Sequence, residues 1–444
     1  MSSIKKSQLL NILNFFSFYG LLLIPLAYIF SVLSINLIIS LIIINLIIST
    51  FVSKNFSIFN NKFFKIILIF YIYIFIHSFF FGYTNILKSV FFIRFLLLPF
   101  GVYYLLNNNL DKIHLIKYFY LLISFFVAGD LFIQFFTGKD LLGYRADLIN
   151  GIEGFPFEKW DTHVLQRFSG PFGYDKKTGS FLLFFGIIGY FLNNNIVKIK
   201  NYFFLIFFLA VLTISIAITG DRAPVIILFL TIFLFIFFEK KLRLKSLLVL
   251  SIILFIFSIT LFFSKNTKYR FIQNILEYST ISNSSVKNSN NIKSENKINE
   301  QVTKVLLDNP WSAHYLTAIE IFKDSPVFGK GVRSFRYECE KYPTIQSSYA
   351  HVRCSTHPHN LLLEILIEVG IVGLLFFILI LYEFFKIKKN SYSNNIILYL
   401  FIATIIPIKP TGAFFSTWFG SILWLLIGFY YWEINQKLTR NKLR

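Results

Sequence analysis

Long apolar runs alternate with short polar connections along most of the chain. Many of these runs are close to 20 residues long, the length that an α-helix needs to cross a hydrocarbon core of about 30 Å. We therefore predict an all-α polytopic membrane protein with about twelve transmembrane helices. The predicted spans are 9–33, 36–52, 63–82, 86–106, 115–136, 178–195, 202–219, 223–239, 245–263, 360–385, 394–409 and 416–434.

Basic residues test this count, because short cytoplasmic loops of membrane proteins are enriched in Lys and Arg. The first apolar run lacks a small-residue cleavage site, and a second span follows directly, so we expect a retained helix. With the N-terminus in the cytoplasm, each even-numbered span returns to a basic connection or to the basic C-terminus. These positions are Lys54, Lys62, Lys112, Lys117, Lys198, Lys200, Lys240, Lys241, Arg243, Lys245, Lys386, Lys388, Lys389, Lys437, Arg440, Lys442 and Arg444.

Composition supports the membrane assignment, since the chain is 56% hydrophobic with a mean hydropathy of +0.65. The formal net charge of +21 would suggest a nucleic-acid partner in a soluble protein. Here the basic cytoplasmic connections account for it, and no soluble domain carries an aromatic–basic array. We expect membrane lipids around the protein and no nucleic-acid partner.

Two long segments, 138–177 and 264–358, then lie on the outer side, and loops of this length are usually functional or disordered. Residues 279–300 are polar and of low complexity, which predicts a mobile segment. Residues 310–323 predict an amphipathic helix in the outer interface. Its apolar face would carry Trp311, Tyr315, Ile319 and Phe322.

The chain thus divides into spans one to nine (1–263), a periplasmic loop (264–358) and spans ten to twelve (359–444). Both cysteines, Cys339 and Cys354, lie in this loop. A disulfide between them would contribute about 3 kcal/mol and needs an oxidising compartment such as the periplasm. Two free thiols are the alternative.

The candidate chemistry centres on STHPHNLLLEILIEVGIVG, residues 355–373. Pro358 suits the first position of a helix, which makes His357 the expected cap and places His359 and Asn360 in the first turn. Free backbone N–H groups at such a helix start favour an anion.

Within the same predicted span, Asn360, Glu364 and Glu368 are spaced i, i+4, i+8 and share one face. Such a face should point into the helix bundle rather than at lipid. Interfacial histidines with glutamates that pair with arginines are an alternative. A metal site is another, although the carboxylates lie on a different part of the helix from His359.

Further ionisable residues lie at membrane depth or near the outer surface. Arg94 and Asp130 lie within predicted spans, where charge is costly, so they are functional candidates or structural ion pairs. Arg222 lies at the outer junction of spans seven and eight. Arginine forks bind phosphate well. Other outer arginines are Arg145, Arg167, Arg333, Arg336 and Arg353.

The 355–373 stretch resembles the signature of the bacterial O-antigen ligase and O-antigen polymerase superfamily. Here His359 and Asn360 are followed by nine residues, Gly370, two residues and Gly373. The resemblance extends over residues 90–420. It includes DLFIQFFTGKDLLGY, RFSGPFGYDKKTGSFL, ITGDRAP and AIEIFKDSPVFGKGVRSFRYEC followed by CSTHPHN.

The resemblance implies glycosyl transfer on the periplasmic side of the inner membrane. The donor would be an undecaprenyl-diphosphate-linked glycan, and the acceptor a sugar hydroxyl on lipid A–core or on a lipid-linked glycan. His359 would be the general base, and Arg222, with Arg94, Arg333 or Arg336, would bind the diphosphate. His357, Asn360, Glu364, Asp130 and His314 would support the site.

The reaction expected from the resemblance is inverting, and we expect no metal and no cofactor. Many relatives carry an arginine at the start of the loop helix, where this chain has only His314 nearby. The identity of the second diphosphate-binding cation therefore stays open. A lipid-linked oligosaccharide transporter is the alternative class, but the halves show no obvious repeat, and a long outer loop beside a histidine motif is atypical of a carrier. A structural or assembly protein is a third class.

Overall fold

The computed structural model describes residues 3–81, 86–148, 166–173, 175–192, 202–239, 243–273, 310–342, 350–389, 396–407 and 409–442. The predicted mobile segment 279–300 lies outside these ranges. The division into three regions stays a prediction.

The described part of the chain contains thirteen helices of ten or more residues, one for each of the twelve predicted spans and a further one, α10, between spans nine and ten. In chain order the helices are α1 Ser3–Phe30, α2 Val32–Ser53, α3 Lys62–Phe81, α4 Ile86–Asn108, α5 Ile113–Thr137, α6 Thr178–Phe191, α7 Tyr202–Ile218, α8 Arg222–Phe238, α9 Arg243–Phe263, α10 Pro310–Asp324, α11 Leu361–Lys389, α12 Ile396–Ile405 and α13 Thr417–Lys442. Short turns complete the loops, with a two-residue antiparallel pair, β1 Asp147–Leu148 and β2 Gln166–Arg167.

Seven helices in the described ranges are long and apolar enough to cross a membrane, and four further apolar helices are 10–17 residues long. Helices suit this environment because they satisfy every backbone hydrogen bond within the segment. Large apolar side chains remain on the outside of the bundle: Phe262 is 81% exposed and Phe263 is 79% exposed. The prediction of an all-α polytopic membrane protein is confirmed.

The bundle core is formed by close helix pairs that are distant in sequence. Helix α13 packs along α4, α11 packs against α3, and α8 packs against α12. Large aromatic side chains fill the core, with Trp424, Trp432 and Tyr430 of α13 almost completely buried. In the outer loop, α10 packs against the start of α11, which brings loop and bundle together beside the 355–373 stretch.

Helix α11 is broken at Gly370, although the sequence predicted one continuous span over 360–385. Gly370 has φ 67° and ψ −171°, a conformation open essentially only to glycine. The turn at 326–331 inserts at the break. The N–H groups of Lys330 and Gly331 donate to the carbonyls of Ile367 and Glu368, and those of Ile371 and Val372 donate to the carbonyls of Pro326 and Val327. The break thus exposes backbone groups of α11 that bind the outer loop.

Candidate functional site

The helix that follows the STHPHN segment begins later than predicted. The helix begins at Leu361, and Asn360, not His357, is its cap: the Asn360 Oδ1 atom accepts from the N–H groups of Leu362 at 3.0 Å and Leu363 at 3.2 Å. His359 lies outside the first turn with φ 56°, a left-handed conformation that is uncommon for a non-glycine residue. Such strained residues cluster at functional sites.

Three histidine rings converge in front of this helix start. The ring centroid of His359 lies 4.0 Å from that of His357 and 5.2 Å from that of His314 on α10. The ring of Trp311, also on α10, contacts His359 at 4.8 Å in an edge-to-face arrangement. The loop helix therefore forms one wall of the cluster.

Hydrogen bonds distinguish the three imidazoles. His357 uses both nitrogens: Nε2 donates to the Thr411 carbonyl at 3.1 Å, and Nδ1 pairs with the Thr356 hydroxyl at 3.0 Å. His314 uses Nδ1, which donates to the Arg353 carbonyl at 3.0 Å. We assign the donor nitrogens from their carbonyl partners, because a carbonyl only accepts. Within the described part of the chain, neither ring nitrogen of His359 has a hydrogen-bond partner.

All three histidines are held in the neutral form. Burial, together with the neighbouring His357 and His314, lowers the pKa of His359 to about 3. Burial likewise lowers the pKa of His357 to about 4, against the hydrogen bond to Thr411. Burial also lowers the pKa of His314. Each neutral imidazole keeps a lone pair on one ring nitrogen.

The backbone around the cluster is fixed from two sides. The Thr411 N–H donates to the His359 carbonyl at 2.8 Å, so the loop between α12 and α13 holds the His359 backbone in place. On the other side Cys339 and Cys354 form a disulfide, which ties the outer loop to the segment just before the histidines.

Two arginines lie beside the histidines. Arg336 donates from Nη2 to the Thr356 carbonyl at 3.3 Å, directly before His357. Burial lowers the pKa of Arg333, and nearby Arg336 lowers it further while Glu368 and Glu364 oppose this. Among the described residues, the Arg333 guanidinium has neither a hydrogen bond nor an ion pair within 4.0 Å. Two adjacent guanidinium groups of this kind suit a phosphate ligand.

Glu364 and Glu368 are each 1% exposed and face the protein interior. The Glu364 carboxylate accepts from the N–H groups of Phe414 at 2.8 Å and Phe415 at 3.4 Å. Glu368 Oε2 accepts from the Arg333 N–H at 2.6 Å. In the described ranges both carboxylates therefore bind loop backbone rather than an arginine side chain.

Arg222 lies on another element, at the start of α8. Its Nε and Nη2 atoms donate to the Arg270 carbonyl at 2.9 and 2.7 Å. Burial raises the pKa of the adjacent Asp221 to about 6, and the charges of Arg167, Arg270 and Lys176 oppose this rise. Cations thus converge where α8 begins, and α8 packs against α12, which leads into the loop that holds His359.

The structure gives Arg94 and Asp130 different surroundings. Asp130 Oδ1 accepts from the Leu141 N–H at 2.7 Å, and the neighbouring Gln134 binds the N–H groups of Ser169 and Gly170, so both residues fasten an outer loop to α5. The Arg94 guanidinium lies over the Phe95 ring at 4.7 Å, and its Nε is buried without a hydrogen-bond partner among the described residues.

Sequence reasoning missed the loop between α12 and α13. It binds the histidine segment through Thr411 and the Glu364 carboxylate through Phe414 and Phe415. It also contains Lys409, which is 3% exposed and donates to the Thr404 carbonyl at 2.9 Å. The sequence signal that could have indicated this loop is IKPTG, in which a lysine and a proline interrupt two apolar runs.

Residues 205–378 match the family model described as O-antigen ligase. The matched region begins in α7, ends in α11 and includes Arg222, Arg333, Arg336 and the three histidines. This finding confirms the resemblance to the O-antigen ligase and polymerase superfamily. It supports an enzyme of glycosyl transfer in surface polysaccharide assembly, with lipid-linked glycan substrates in a membrane. The comparison with curated proteins gave no match.

Proposed function

Because the chain carries an O-antigen ligase domain, we propose that it transfers a glycan from undecaprenyl diphosphate to a sugar hydroxyl. The acceptor is lipid A–core if the enzyme acts as a ligase, and a lipid-linked glycan if it acts as a polymerase. In this proposal the protein lies in the bacterial inner membrane with both termini in the cytoplasm. The site then faces the periplasm, where an oxidised Cys339–Cys354 pair is stable.

His359 is the general base of the proposed reaction. The supporting observation is that, of the three clustered histidines, it alone keeps both ring nitrogens without a hydrogen bond to the described residues. His359 takes the proton of the acceptor hydroxyl while that oxygen bonds to the anomeric carbon of the donor. The bond from this carbon to the diphosphate oxygen breaks, and attack from the opposite face inverts the configuration.

Arginines stabilise the charge that builds on the departing diphosphate. Arg333 and Arg336 are the best supported, because they lie together beside His357, whose pKa they lower. Arg222 and Arg94 contribute from α8 and α4 in the same proposal. Fixed cations aimed at a developing negative charge commonly supply the largest part of such catalysis.

The proposal assigns the electrostatic role to arginines and not to a metal ion. Among the residues that the structure describes, no three His, Cys, Asp or Glu side chains are arranged to hold a metal. Transfer in the presence of EDTA tests this assignment.

Reconstitution of the purified protein tests the function. It is incubated with undecaprenyl-diphosphate-linked glycan and EDTA, either with lipid A–core or without a second acceptor. Product on lipid A–core identifies a ligase, and longer glycans on the lipid carrier identify a polymerase. The Arg333→Gln and Arg336→Gln variants should lose most of the activity, whereas Arg243→Gln on the inner side should keep it. No transfer in either arm, with flipping of the lipid-linked glycan instead, would establish the transporter alternative.

A further inference from the structure

The two buried carboxylates of α11 each hold a different loop. Glu364 accepts from the N–H groups of Phe414 and Phe415, after α12. Glu368, one turn further along, accepts from the N–H of Arg333 in the outer loop. Both act on backbone N–H groups, and both lie on the nine-residue piece of α11 that the break at Gly370 separates from the rest of the helix.

The Glu368 contact acts on the most constrained residue of the outer loop. Arg333 has φ 60°, a left-handed conformation that costs a side-chain-bearing residue free energy. Its N–H bond to Glu368 and the neighbouring bond from Gly331 to the Glu368 carbonyl hold this conformation in place. The loop then turns into Phe335–Glu338, which carries Arg336 towards Thr356. The direction of both guanidinium groups therefore depends on the Arg333 backbone.

The two oxygens of the Glu368 carboxyl group differ in their hydrogen bonds. Oε1 is buried and lacks a hydrogen-bond partner within the described residues, while both guanidinium groups lie within electrostatic range of the carboxylate. A carboxylate buried only to complete the fold would be expected to have both oxygens satisfied. One oxygen of Glu368 thus binds the Arg333 backbone, and the other stays available beside the two arginines.

We propose that Glu368 is a positioning residue that holds Arg333 and Arg336 where they bind the diphosphate of the donor. The identity of the ligand rests on the proposed function, whereas the geometry of the anion site does not. Glu364 holds the opposite loop and, through it, the His359 backbone. The carboxylate pair thus sets the spacing between the base and the cations that receive the leaving group.

Binding of inorganic pyrophosphate, measured by calorimetry in detergent, tests this role without requiring transfer activity. We expect Glu368→Leu to weaken binding about tenfold, since the acceptor of the Arg333 N–H is lost and that donor is left unpaired. Glu368→Gln keeps an acceptor for the Arg333 N–H, so binding should weaken only about threefold, a partial rescue. Glu320→Gln, an exposed carboxylate of α10, is the control and should bind as the wild type does.

Kinetics with the lipid-linked donor give a second readout. The Glu368 variants should lower kcat together with pyrophosphate affinity, because the same cations bind the leaving group, while the KM for the acceptor stays unchanged. Folding is checked by elution as a single species and by the melting temperature. If Glu368→Leu does not fold, Glu368→Gln decides the question. Wild-type pyrophosphate affinity in a folded Glu368 variant would overturn the proposal, even if the enzyme transfers glycans.

Discussion

Replacing Gly370 by alanine should release the outer loop from α11. An alanine there must adopt φ 67° and ψ −171°, which costs about 2 kcal/mol. Its Cβ would lie 2.5 Å from the Val327 carbonyl carbon and 2.6 Å from that of Phe328, so the 326–331 turn must move. Losing two of the four backbone hydrogen bonds at the break adds about 1 kcal/mol each. The total is about 4 kcal/mol.

The free energy of unfolding, measured by SDS titration in mixed micelles, checks this figure. Gly129→Ala is the matched control, because a Cβ at Gly129 in α5 meets nothing within 4 Å. That variant should be neutral or more stable by up to about 1 kcal/mol. Glycosyl transfer should fall with stability in the Gly370→Ala protein, since the turn leads to Arg333. A Gly370→Ala protein as stable as the Gly129→Ala control would refute the role assigned to the break.

Three further predictions concern the segment around the histidines. Serine at Cys339 and Cys354 should destabilise the loop by about 3 kcal/mol, seen as faster proteolysis between them under oxidising conditions; equal cleavage rates would contradict this. Asn360→Ala should cost about 2 kcal/mol through loss of the helix cap and of the Nδ2 bond to the Pro407 carbonyl, whereas Asn360→Asp keeps the cap and should cost about 1 kcal/mol, as measured by SDS titration. The folded pKa of His357, about 4, lies below the unfolded value, so only the unfolded segment gains a proton as pH falls below about 6.5. His357 alone should therefore contribute a drop in stability of about 1 kcal/mol between pH 7 and pH 5.5, and His357→Gln should remove that part of the pH dependence while the parts from His359 and His314 remain.

The twelve helices were predictable because the bilayer sets the length of each apolar run independently of the rest of the fold. The break in α11 at Gly370 could not be predicted in this way. A glycine inside an apolar run is compatible with a continuous helix, and the turn that requires Gly370 lies far away in the sequence. The wall that α10 forms beside the histidines likewise depends on α10 and α11 packing together, which no local sequence pattern indicates.

The histidine segment shows how one local signal can override another. Pro358 suggested that the helix starts there, but His359 takes a left-handed conformation and the helix starts at Leu361. Asn360 is among the residues preferred at a helix cap, so its type was the better guide. Arg222 was expected at the diphosphate. Its contact with the Arg270 carbonyl required the fold, because Arg270 lies 48 residues further along the chain, beyond the end of α9.

The transfer rate of His359→Ala, measured in a single turnover with donor already bound, tests the proposed chemistry most directly. His114→Ala, which replaces an exposed histidine at the start of α5, is the control. We expect the His359 variant to lose about 10²–10⁴-fold in rate, the usual contribution of a general base, and the control to match the wild type. A folded His359→Ala protein that transfers glycan at the wild-type rate would contradict the assignment of His359 as the base.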